Sequence, residues 1–270
     1  MSLGEHRDEG RDGVKQSQDR TESPSPNLYA SVENELERPP VIYRKYGPGT
    51  QPNHLHPQYA SSNSRAPRHP LISLPQSLGE ITGPRFALSL VSPSTADLTG
   101  QQGGAAIGER ILVSGRVLDE YERPVPHTLL EIWQANACGR YNHELDQHDA
   151  PLDPNFLGTG RVMTDEHGQY RFKTIKPGSY PWRNHYNAWR PAHIHFSLLG
   201  PAFVTRLVTQ MYFPGDPLLP YDPIFNCTAD EKARNRLISS FDWDTVIPEY
   251  ALAFKFDIVL RGRNETPFEV

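Results

Sequence analysis

Two histidines stand one residue apart, His193 and His195, within the stretch WRPAHIHFSLLG. Around them Ala192, Ile194, Phe196 and Leu198 alternate with His193, His195 and Ser197, the period of a strand. Residues two apart share a strand face, so both imidazoles project the same way, as one metal ion requires of a short segment. A solvated polar face produces the same alternation. From these residues alone the two readings stand level.

Tyrosines in the neighbouring loops bear on the choice. Tyr141 lies in CGRYNH, and Tyr180 lies in PGSYPW, where Gly178 and Pro181 fix the backbone around the ring. A phenolate is a hard anionic oxygen donor. A trivalent ion keeps it deprotonated at neutral pH although a free phenol titrates near ~10. Two phenolates and two imidazoles would bring two negative charges and favour Fe(III); two histidines with one carboxylate would suit Fe(II) instead. For each tyrosine the competing reading is a buried ring whose hydroxyl bonds to backbone. His54 and His56 form a second H-x-H, but in a proline-rich setting that reads as arm or surface. Zinc-peptidase, P-loop and serine-hydrolase motifs are missing, and Cys138 and Cys227 have no zinc spacing.

These residues need elements to hold them. Strands are expected at 110–117, with Ile111, Val113 and Val117 on one face, and at 128–134, ending near Trp133. A loop over 135–160 carries Tyr141. Residues 161–164 and 169–174 read as a hairpin across Asp165–Gly168. The His strand follows, then 207–213 with Gln210 and Tyr212 on one face. Thr228 and Glu231 form a capping-box pattern ahead of Ala233, Leu237, Ile238 and Phe241 at helical spacing. Residues 251–260 alternate as one strand, and 73–82 read as a short helix. This order predicts an all-β fold: an antiparallel β-sandwich with long loops, an extended N-terminal arm and one or two short helices.

Three regions are expected. Residues 1–26 bury too little to fold and read as a disordered tail. Residues 27–105 comprise an extended arm rich in Pro and Tyr, which packs on its own domain or a neighbouring subunit, and the short helix. Residues 106–270 form the catalytic sandwich. The chain carries 26 prolines, 37% hydrophobic residues and a net charge of −5. No basic stripe points to nucleic acid, and no apolar run approaches the ~18 residues of a membrane span. With no apolar leader and two unpaired cysteines, a cytoplasmic protein is expected.

LEIWQANACGRYNH, DPNFLGTGRVMTDEHGQYRFKTIKPGSYPWRN and WRPAHIHFSLLGP closely resemble the intradiol ring-cleaving dioxygenases, and VTQMYFPGDPL, FKFDIVLRGR and NSRAPRHPLISLPQSLGEITGP extend the likeness over roughly 55–270. Within that family the chain looks like the catalytic β chains of the branch that cleaves protocatechuate. The resemblance implies mononuclear non-haem Fe(III) held by Tyr141, Tyr180, His193 and His195. It implies that Tyr180 leaves the metal when substrate chelates, and that Arg190 stabilises charge on the substrate. It places Gln210, Tyr212, Trp182, Ile224 and Tyr59 in the pocket, with Trp133 near the metal. It further implies O2 as co-substrate, no organic cofactor, and an α chain that covers the site and helps hold the substrate carboxylate. Tyr221 and Asp222 depart from the less polar residues of the family pattern. Cleavage of catechol or hydroxyquinol is the alternative chemistry, and a non-catalytic sandwich that binds a partner is the alternative class.

Overall fold

A computed structural model describes residues 46–72, 91–199 and 206–269, all within one unit spanning 42–270. The expected tail and the expected helix at 73–82 lie outside the described residues. Two sheets face each other. In the first, β1 (Arg110–Leu118) pairs antiparallel with β4 (Gln169–Ile175) on one side. On its other side it pairs parallel with β10 (Leu252–Lys255) and β11 (Ile258–Val259), and β9 (Ser240–Phe241) follows at the edge. The second sheet is antiparallel throughout. It runs β3 (Thr159–Met163), β2 (Leu129–Trp133), β7 (His193–Leu199) and β8 (Arg206–Tyr212). A two-stranded ribbon joins β5 (Tyr180–Pro181) to β6 (Trp189–Arg190). The helices are short: α1 (Ser62–Arg65), α2 (Pro223–Asn226) and α3 (Glu231–Asn235).

The core fills the gap between the sheets. Ile111, Val113 and Val117 from β1 meet Leu130 and Ile132 from β2, with Ile194, Phe196 and Leu198 from β7. Strand β7 is buried along its whole length. Its apolar set faces the core, and its histidine face is covered by the site described below. Leu98, fully buried in the same core, brings 91–105 onto the sandwich, and Leu98 N donates to Lys173 O.

Three expectations need correction. Residues 161–164 and 169–174 do not pair as a hairpin, because β3 joins β2 while β4 joins β1. The turn is tight, since Asp165 Oδ1 accepts from His167 N and Gln169 N. Yet Val162 and Phe172 enter the same core from different sheets, so the chain crosses between layers. The strand at 251–260 is broken. Asp257 Oδ1 takes the Arg116 amide at 2.9 Å, and the Phe256 carbonyl turns to accept from the Tyr170 hydroxyl. The amphipathic helix is one turn long. Asp230, not Thr228, caps it by accepting from Ala233 N at 2.7 Å. Leu237–Ser239 is then captured by Tyr212, whose N donates to Leu237 O and whose O accepts from Ser239 N. Phe241 belongs to β9 and is exposed.

The break at Phe256 depends on Gly115. A Cβ there would sit 1.8 Å from Phe256 O and 2.9 Å from the Tyr170 hydroxyl. Gly115→Ala must push the two strands apart or turn that carbonyl away. Overpacking of this kind costs about 1–3 kcal/mol, to be read as a lower urea midpoint at unchanged slope. A variant as stable as the parent would show that the break is soft.

Candidate metal centre

Strand β7 sends His193 and His195 to one face. In the ladder to β8 they stand opposite Tyr212 and Gln210. His195 also lies opposite Trp133 on β2, and the two rings stack at 4.7 Å with 7° between their planes. The tyrosines arrive on two loops that glycine lets meet. Asn136 Oδ1 folds the first loop by accepting from Cys138 N and Arg140 N, and Tyr141 N donates to Asp146 at 2.8 Å. Gly139, at φ +78°, lies so close that a Cβ would sit 2.1 Å from Ser179 O. Backbone against backbone, the loops bring the Tyr141 and Tyr180 rings edge to face at 5.4 Å.

The four side chains end in one cluster. Tyr141 Oη is 3.1 Å from His195 Nε2, His195 Nε2 is 3.2 Å from His193 Nε2, and His193 Nε2 is 3.3 Å from Tyr180 Oη. The proton positions follow from the outer bonds. His193 Nδ1 is 2.7 Å from the Pro191 carbonyl, and His195 Nδ1 is 2.9 Å from Glu269 Oε2. Both acceptors demand an N–H, so as neutral rings both Nε2 atoms present lone pairs to each other. Two lone pairs at that distance call for a cation or for donated protons, and the phenols and Arg190 Nη1, 3.2 Å from His193 Nε2, are the donors at hand. Burial pushes the Tyr141 hydroxyl well above the ordinary phenol range, and Tyr180 adds to it. Burial also raises Tyr180, with the Arg190 charge working against it. Both rings therefore stay protonated until a strong positive charge displaces the protons. Burial, then Arg190 and His195, hold His193 well below the usual imidazole range. Among the described residues no three His, Cys, Asp or Glu gather around a point, because half of this donor set is phenol.

Arg190 borders the cluster. It stands opposite Tyr180 in the ribbon and is 2% exposed. Its Nε and Nη2 grip Asp222 at 3.1 and 2.9 Å, and Nη2 also donates to Gln210 Oε1 and Tyr212 Oη. Burial alone would lower its pKa, but Asp222, Tyr212 and Tyr180 outweigh that and raise it well above normal. Its Nη1 is turned to His193 in the cluster. The Trp182 ring lies 5.4 Å from the Arg190 guanidinium carbon, and Tyr59 lies 5.0 Å beyond Trp182. Tyr59 reaches this position because the arm docks on 182–185, with Ala60 N and Ser61 N bonded to Asn184. Ile224 is buried on α2, the helix capped by Asp222, and does not join the donor cluster.

Residues 81–262 match the family model described as Dioxygenase, and 43–77 match that of the protocatechuate 3,4-dioxygenase beta subunit N terminal. The chain is 56% identical over 236 residues to the protocatechuate 3,4-dioxygenase beta chain of Burkholderia cepacia, covering 87% of this chain and 100% of that one. The chain belongs to the intradiol ring-cleaving dioxygenase family. Two further family members are more distant. The protocatechuate 3,4-dioxygenase alpha chain of Pseudomonas putida is 28% identical, over 74% of this chain and 98% of that one. A hydroxyquinol 1,2-dioxygenase of Rhizobium sp. (strain MTP-10005) is 34% identical, over 44% of this chain and 42% of its own length.

Two residues of this intradiol dioxygenase chain escaped the sequence reading. Glu269 bonds to His195 from 74 positions away, and no local pattern marks it. Asp222 stood out only as a polar departure, while the structure buries it completely as the partner of Arg190. Among the described residues, no helix is long and apolar enough to cross a membrane.

Proposed function

We propose that this chain is the catalytic β chain of an enzyme that opens protocatechuate between its hydroxyl-bearing carbons. Both atoms of O2 enter the product, 3-carboxy-cis,cis-muconate, so no external reductant is needed. One observation carries the reading: Tyr141, His195, His193 and Tyr180 end in a chain of donor atoms spaced 3.1–3.3 Å apart. In a family member those donors would hold one Fe(III). When bound, the ion supplies the Lewis acidity that keeps both phenols and a chelated catechol ionised, and that activates the ring toward O2.

The protein's own groups do the rest. Tyr180, as a phenolate, would accept a proton from one catechol hydroxyl. Arg190 faces that exchange with Nη1, while Asp222 fixes its other nitrogens, so its charge is preorganised toward an ionised substrate. Gln210 Nε2 is buried with only the Glu269 carboxylate near it among the described residues, so this amide donor can turn to meet a substrate oxygen. Trp182 and Tyr59 wall one side with apolar surface. Tyr186 in the turn of the ribbon, Trp189 on β6 and Tyr221 just ahead of α2 are exposed, which suits cover by an α chain.

The test is co-expression with an α chain, followed by iron analysis, absorption spectra and O2 uptake. A burgundy protein consuming O2 with protocatechuate is expected. Preference for catechol overturns the substrate, and colourless, iron-free protein favours the non-catalytic sandwich.

A further inference from the structure

Segment 265–269 runs beside β8, where Glu269 N donates to Val208 O and Thr209 Oγ1 to Pro267 O, both at 2.7 Å. From the other side the arm clamps it. Gln51 Oε1 accepts from Phe268 N at 2.8 Å, and Gln51 Nε2 reaches Thr266 O at 3.5 Å. The Phe268 ring sits against Tyr46 and His54, with centroids at 6.1 and 6.0 Å. This placement sets the Glu269 carboxylate 2.9 Å from His195 Nδ1.

We propose that Glu269 is a positioning residue for the metal centre, and that Gln51 of the N-terminal arm sets its place. The inference rests on the reading of Tyr141, Tyr180, His193 and His195 as ligands. An imidazole has two neutral tautomers, and only the Nδ1–H form leaves Nε2 free to bind. The stacked Trp133 fixes the plane of His195 but is blind to which nitrogen carries the proton. His193 is settled by a backbone carbonyl, which no substitution removes. For His195 the choice falls to the Glu269 carboxylate, which also makes Nε2 a stronger donor. Through Gln51 the arm then acts on metal retention without touching the metal.

The experiment uses the full chain co-expressed with an α chain, comparing the parent with Glu269→Gln and Gln51→Ala. Ferric affinity is read by competition with a chelator. The His195 tautomer is read by 15N NMR on metal-free protein at one fixed pH. Glu269→Gln should weaken ferric binding about 10–100-fold and raise the Nε2–H tautomer, while the metal-free melting temperature stays near the parent value. Gln51→Ala should shift both readouts the same way by less. Unchanged affinity and tautomer in Glu269→Gln overturn the proposal. Parent protein that takes up no ferric ion instead removes the ligand reading, and the tautomer still decides whether Glu269 orients the ring.

Discussion

Arg190→Met should lower kcat/KM for protocatechuate by about two to three orders of magnitude, the usual loss when a preorganised charge-stabilising donor is removed. It should also destabilise the fold by about 3–5 kcal/mol, the range for stranding one member of a buried ion pair. The reason lies in Asp222. It is fully buried, and Arg190 holds both of its oxygens. Without the guanidinium, its charge keeps, among the described residues, only the Tyr212 hydroxyl and the amide of Phe225. Adding Asp222→Asn removes the stranded charge at nearly equal volume. The double variant should regain most of the lost stability in urea unfolding, yet keep the low turnover in oxygen uptake. Recovery of both would mean that Arg190 serves only to neutralise Asp222.

Tyr141→Phe and Tyr180→Phe should separate metal retention from substrate exchange. Burial keeps both phenols protonated in the metal-free protein, so each change deletes a neutral hydroxyl and should leave the apo fold intact. Tyr141 is anchored by Asp146 and by the Asn136 turn, and burial and Tyr180 outweigh the pull of Arg190 on its phenolate. Its loss should weaken ferric binding more than ~100-fold, beyond the range of outer-sphere changes. Tyr180 stands against Arg190, whose charge eases its ionisation. Tyr180→Phe should keep iron but alter the visible band, and slow the proton uptake that accompanies catechol binding in stopped-flow traces. Two variants with the parent spectrum and parent affinity would remove both tyrosines from the ligand set.

Much of this was readable before any coordinates. The alternation from Ala192 to Leu198 marked β7 and the shared face of its histidines, because a strand writes its two faces directly into residue order. Gly178 and Pro181 flagged Tyr180 for the same local reason. What escaped depended on partners distant in the chain. The alternation of 161–164 and 169–174 says that each is a strand, but not that they join different sheets, since both choices bury the same side chains. Helical spacing after Glu231 was genuine, yet Tyr212 claimed that backbone for the sheet. Asp222 and Glu269 look like ordinary acidic loop residues until Arg190 and His195 come beside them.

The parallel seam between β1 and β10 joins residues 141 positions apart, as Arg116 and Asp257 illustrate. At about 5–20 residues per second, a ribosome needs roughly 7–28 s to make the intervening chain. β4 can cover one flank of β1 early, but the other flank has no partner for that whole interval. During synthesis β1 is therefore an open edge, with its N–H and C=O groups available to any passing strand. Yield in a cell should depend on what shields that edge, and slowing translation after β4 should raise the fraction lost to aggregates.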